Sequence, residues 1–187
     1  MAEILLINRP DTTGGRLNII RPTYWYGMTF TPAQDCSLTK VDVYGYKDGS
    51  PPEPFRVAIY NVDGSHHPTG SPIDTCLINA SEFSTSFAWI LGKTFTNGVQ
   101  LTNGTEYAVV FETDGGDATN DYQIYEKIVT WYGLTSYNGG STWSTDTYLK
   151  TLKLYGDTYT FSPPEGKATK KRLVAAAEST FYYESIA

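Results

Sequence analysis

The chain has 187 residues, with 17 glycines, 10 prolines, 15 tyrosines, 40% hydrophobic and 18% charged residues. Its formal charge is −6 and its pI about 4.8. That balance makes a poor nucleic-acid binder, since neutralising phosphates requires Lys and Arg, and no apolar run nears the ~18 residues of a membrane-crossing helix.

The first element is "EILLIN", a strand near 3–8. Its apolar run, Ile4 to Ile7, is shorter than the ~7–15 residues of a secretory leader and has no basic segment before it, so no export signal is expected. Strands follow near 16–20 and 25–31. In "LTKVDVYGY", Val41 and Val43 alternate with Lys40 and Asp42, the period-2 mark of a strand with one buried face. "DGSPPEP" (48–54) is a loop. In "PFRVAIYN", Phe55, Val57 and Ile59 point one way, and Arg56, Ala58 and Tyr60 the other. Residues 62–72 read as a Pro/Gly loop, with His66 and His67 in a solvent-exposed turn. Strands at 73–80 and 84–95 come next; in the second, Trp89 alternates with Phe87 and Leu91 and is assigned to the core. "EYAVVFE" puts Tyr107, Val109 and Phe111 on one face. Further strands are expected at 122–131 and 148–161.

Eight to ten strands joined by tight turns predict an all-β chain: an antiparallel β-sandwich of jelly-roll type over residues 1–161. Val57, Ile59, Val109 and Phe111 are expected between its sheets. "SPPEGKATKK" (162–171) reads as a linker, and residues 172–187 as a short C-terminal β-hairpin extension. That strand pair carries Leu173, Val174, Phe181, Tyr182 and Tyr183, more apolar surface than a lone hairpin hides. Those five are the candidate assembly residues, expected to dock on an adjacent subunit while the sandwich folds without them. Cys36 and Cys76 cannot form a disulfide framework; they read as free buried thiols, with a single bridge as the alternative.

No Walker, zincin or nucleophile-elbow motif occurs, and no catalytic residue is assigned. The octet "SYNGGSTW" (136–143) has the spacing of an Asp-box with Asn138 in the acidic position. It reads as a hairpin turn, because Asn138, Gly139 and Gly140 suit left-handed backbone. Asp114, Asp117 and Asp121 share one loop and are weak candidates for a structural calcium; a hydrated acidic loop is preferred, and no cofactor is assigned. Two aromatic groups, Tyr24, Trp25 and Tyr26, then Trp131, Tyr132 and Tyr137, are candidate glycan platforms, since flat rings bury area at low entropic cost. The competing role for them is core or interface. An aromatic strip on one open sheet face would favour glycan binding; aromatics at subunit contacts would favour a structural role.

Several segments carry a family resemblance: "NIIRPTYWYGMTFTP" (18–32), "FRVAIYNVDGSHHPTGSPI" (55–73), "GVQLTNGTEYAVVFET" (98–113), and "SYNGGSTW" followed by "LKLYG" (152–156). In these, residues 1–160 resemble the choice-of-anchor R jelly-roll domains and their relatives in tailed-phage structural proteins. The resemblance implies a non-enzymatic virion protein, a capsid decoration or tail-associated subunit. It would be a homo-oligomer that contacts other virion proteins and host-surface polysaccharide, with no nucleic-acid or membrane partner. The alternative it leaves is a carbohydrate-binding module of a secreted or cell-surface protein.

Overall fold

The strands in chain order are β1 (Glu3–Arg9), β2 (Arg16–Ile20), β3 (Trp25–Phe30), β4 (Cys36–Asp48), β5 (Phe55–Val62), β6 (Pro68–Ile78) and β7 (Ala88–Thr94). They continue with β8 (Gln100–Leu101), β9 (Tyr107–Glu112), β10 (Asp121–Ser136), β11 (Ser144–Lys150), β12 (Leu152–Thr158), β13 (Lys171–Ala175) and β14 (Phe181–Ser185). The computed structural model describes residues 2–10, 15–158, 171–175 and 181–185. For Arg16, residues 128–132, Leu149 and β13–β14 it describes the backbone course alone. Most of the 162–171 linker lies outside the described residues.

Among the described residues, twelve strands join in one antiparallel network, ordered β1-β12-β4-β10-β3-β9-β5-β6, with β2, β7, β8 and β11 at its flanks. The network curls back on itself, giving an antiparallel β-sandwich of jelly-roll type. β10 makes the corner. Its first half pairs with β2 and β4, its second half with β3, and its register with β11 breaks between Ile128 and Gly133. Layer A therefore holds β1, β2, β4, β7, β8, β12 and the start of β10. Layer B holds the end of β10 with β3, β9, β5, β6 and β11.

The layers bury one core. Val57, Ile59, Val109 and Phe111 are fully buried, as alternation requires, against Val41, Val43, Ile124, Leu152 and Leu154 of layer A. Cys36 and Cys76 are free and buried in the same core. Burial pushes both thiols up, Cys76 to about 12. A second, smaller cluster lies on the outer side of layer B. Ala58, Tyr60, Ala108, Val110 and Leu134 pack there with Trp25 and Trp143. The outward residues of β5 and β9 are thus covered as well, and β9 is buried along its whole length.

Three strand assignments change. β6 starts at Pro68, within the expected loop, because the turn is tighter: Asp63 accepts the N–H groups of Ser65 and His67 and returns the chain at once. Prolines are tolerated there because β6 is an edge. β10 runs on to Ser136, and the strand expected at 148–161 is two strands, β11 starting earlier at Ser144 and β12 following after Thr151. β13 and β14 form a separate antiparallel sheet, pairing Leu173 with Tyr183, Val174 with Tyr182 and Ala175 with Phe181.

Candidate functional site: an aromatic face on layer A

Since Val41, Val43, Ile90 and Ile124 point into the core, their strand neighbours point out of layer A. Tyr44 of β4 pairs with Trp89 of β7, and Tyr46 with Gln123 of β10. Phe87 precedes β7, and Tyr125 completes the group. The Tyr44 and Phe87 rings stack, with centroids 5.4 Å apart and planes at 24°. Trp89 lies 5.3 Å from Tyr44, and Phe87 lies 4.7 Å from Tyr46. Tyr125 meets Tyr44 and Phe87 edge-on at 6.1 and 5.9 Å. All five rings are half-buried, so each keeps surface in water. Exposed Leu17, opposite Tyr125, extends the strip at the β2 side.

Polar groups border the strip at fixed positions. The Tyr46 hydroxyl donates to Gln123 Oε1 at 2.7 Å, and Gln123 Nε2 donates to Asp121 at 3.2 Å. Lys153 Nζ stands 5.3 Å from the Trp89 ring. Asp42 accepts from the Tyr155 hydroxyl and from the Gly92 N–H, both at 2.7 Å. Desolvation, then the Asp42 carboxylate, pushes the Tyr155 phenol up to about 12, which keeps it a donor. Lys40 lies over the Tyr155 ring at 4.8 Å and pairs with Glu3 at 2.5 Å. The surface is a ring platform edged by hydroxyl, amide, ammonium and carboxylate groups.

Of the aromatics singled out from sequence, Tyr24 and Tyr26 both meet Tyr137, the latter edge-on at 6.3 Å, while Trp25 is turned to the other face. Tyr26 faces the core, with Lys150 Nζ 4.9 Å from its ring. Trp25 packs outward in the second cluster, where the Gly140 backbone comes so close that an added Cβ would meet its ring at 2.5 Å. Adjacent strand residues cannot share a face, so "YWY" never forms one platform. Tyr24 and the exposed Tyr137 do meet, edge-on at 5.5 Å, with Arg21 over Tyr24. Trp131 and Tyr132 sit where β10 turns the corner; their side chains lie outside the described residues.

The octet is the β10–β11 turn. Asn138 Oδ1 accepts from the Thr142 N–H and the Ser136 hydroxyl, Asn138 Nδ2 donates to the Thr142 hydroxyl, and Ser136 Oγ accepts from the Gly140 N–H. Gly139 and Gly140 have φ of 66° and 79°, the left-handed region. Asn138→Ala is expected to lower stability by ~0.5–2 kcal/mol while binding persists. Thermal melts and binding assays check this together; lost binding at unchanged melting would contradict it.

The acidic loop does not assemble. Asp114 pairs with Arg56 at 2.7 Å, and Asp117 caps Thr119 and Asn120. Asp121 is buried beside Gln123, and burial raises its pKa. Among the described residues, no three His, Cys, Asp or Glu side chains converge as a metal site. Each of the three loop carboxylates is held by a different protein partner. His66, at φ 65°, instead holds Glu106 at 2.6 Å. The side chains of Leu173, Val174, Phe181, Tyr182 and Tyr183 lie outside the described residues.

Trp89 corrects the sequence reading most sharply: Ile90 is the buried residue of β7, Trp89 is outward, and Leu91 is 63% exposed. The missed signal was already in β4. There Tyr44 and Tyr46 continue the Lys40–Asp42 outward row, placing aromatics on the polar side of an amphipathic strand. No protein-family model matches the chain, and no curated protein matches it.

Proposed function

We propose that this chain is a non-enzymatic binding domain that adheres to glycans through the outer face of layer A. The observation that carries the reading is the strip Tyr125–Tyr44–Trp89–Phe87–Tyr46, with polar groups along its margin. A pyranose offers an apolar C–H face and a rim of hydroxyls; aromatic rings match the first, and Gln123, Asp42, Lys153 and Tyr155 match the second. The edge-on rings brace Tyr44 and Phe87, so little rotamer entropy is lost on binding. A flat strip suits a polysaccharide chain lying across the strands better than a single small sugar.

The test is affinity electrophoresis and titration against a panel of bacterial surface polysaccharides. Trp89→Ala and Tyr44→Ala are expected to weaken binding about 10–100-fold, the scale of one lost aromatic contact at ~1.5–3 kcal/mol, with melting little changed. Absence of binding to any polysaccharide, or full binding by both variants, would remove the proposal.

A companion reading places the domain on a virion, as capsid decoration or a tail-associated subunit among other virion proteins. The separate β13–β14 pair favours it, since a two-stranded sheet is marginal alone in water and is suited to docking. A carbohydrate-binding module of a secreted or cell-surface protein would use the same aromatic face. Mass spectrometry of purified particles separates the two: a fixed stoichiometry per particle supports the virion role.

A further inference from the structure

Where the chain leaves β2, one guanidinium has a ring partner and no hydrogen-bonding one among the described residues. Ile20 is paired with Tyr122, so the next residue, Arg21, comes opposite Asp121. Arg21 is half-buried, and its guanidinium lies over the Tyr24 ring at 4.6 Å. Its Nε is buried without a hydrogen-bond partner. Asp121 is within electrostatic reach of Arg21, yet its Oδ1 accepts from Gln123 instead. A shielded donor left unbonded is costly, and the stack on Tyr24 fixes the guanidinium plane with its edge unused.

Tyr137 stands on the same tyrosine. Its residue is 62% exposed, although the ring meets Tyr24 edge-on at 5.5 Å and Tyr26 edge-on at 6.3 Å. Two turns fix that placement. The Gly139 N–H donates to the Thr23 carbonyl at 3.2 Å, and a Cβ added at Gly139 would meet the Pro22 carbonyl oxygen at 3.0 Å. The β10–β11 turn is thus clamped to the turn between β2 and β3, and it holds Tyr137 braced but open to water. The cluster also continues the layer A strip. The Tyr46 hydroxyl donates to Gln123, Gln123 donates to Asp121, and Asp121 lies opposite Arg21.

We propose that Arg21, Tyr24 and Tyr137 form a second sugar subsite, reached by the same polysaccharide chain that lies across layer A. The inference rests on the glycan reading of the layer A face and extends it past the end of the strip. A pyranose stacked on Tyr137 brings hydroxyl and ring oxygens to the guanidinium edge, which supplies the acceptors that the protein does not. The sugar held there is uncharged. Asp48 is paired with Asp121, and Asp117 acts on the same carboxylate, so a uronate would meet three carboxylates for one guanidinium.

The probe is a neutral surface polysaccharide bound by the full chain, used whole and as hydrolysis fragments graded by length. Tyr137→Ala and Arg21→Ala are each expected to weaken the whole polymer about tenfold, with melting unchanged, and to leave the shortest binding fragments at parental affinity. Trp89→Ala should weaken both. Bound polymer should also shield Tyr137 from nitration, read by mass spectrometry of its peptide. Once the polymer's primary hydroxyls are oxidised to carboxylates, the parent should lose its advantage over Arg21→Ala; a larger advantage would overturn the uncharged assignment. Full binding of the whole polymer by both end variants, while Trp89→Ala loses it, would overturn the subsite and leave the layer A reading standing. No binding of any polysaccharide by the parent would remove both.

Discussion

Val109→Asp is expected to abolish folding. Val109 is fully buried at the middle of β9, opposite Met28 on one side and Ile59 on the other. No cation among its register partners would compensate a carboxylate there. Burying a charge without a partner costs several kcal/mol even after the group neutralises, against a total stability of ~5–15 kcal/mol. Insoluble expression, or loss of the cooperative thermal transition by circular dichroism, is the expected readout. A soluble variant melting within a few degrees of the parent would mean that β9 does not present this face to the core.

The second large effect falls on a pair that alternation alone would not reveal. Glu126 and Lys150 are opposite each other in β10 and β11, both at 0% side-chain exposure, and they form an ion pair. Asn18 donates a further hydrogen bond to the same carboxylate. Lys150→Met leaves Glu126 buried without its ammonium and is expected to cost ~3–5 kcal/mol, lowering the melting temperature by roughly 6–20 °C. Adding Glu126→Gln to Lys150→Met should recover most of that loss, because the desolvated charge is then gone. If the single and double variants melt alike, the cost came from packing and the ion-pair account is wrong.

β5 and the inward half of β4 were legible in the sequence because one phase of each is the more apolar, and Val57 and Val43 fix its core direction; β9 is apolar in both phases, and both are buried. β7 was not legible. Phe87, Trp89 and Leu91 form one apolar phase and Ala88 and Ile90 another, and a strand with two apolar phases does not say which faces inward. Its pairing with β4 decides the matter, since Val43 is opposite Ile90 and Tyr44 opposite Trp89. The corner in β10 was hidden for a related reason. The partners of β10 change from β4 to β3 along its length, and partner identity is a long-range property. The aromatic face inherits both gaps. Its rings come from β4, β7, β10 and the turn before β7, so no contiguous segment displays them, whereas "TYWY" looked like a platform and is divided between two faces.

The pairing of β1 with β12 has a consequence for biosynthesis. Arg9 is paired with Leu152 and Glu3 with Asp157, so the first strand of the sandwich has no partner until nearly all of the sandwich has followed it from the ribosome. At about 5–20 residues per second, that wait lasts roughly 7–30 s. Throughout it, "ILLIN" is an uncharged apolar segment on a nascent chain, open to chaperones and to other nascent chains on the same message. Within the sandwich, the strand made first must wait for the strand made last.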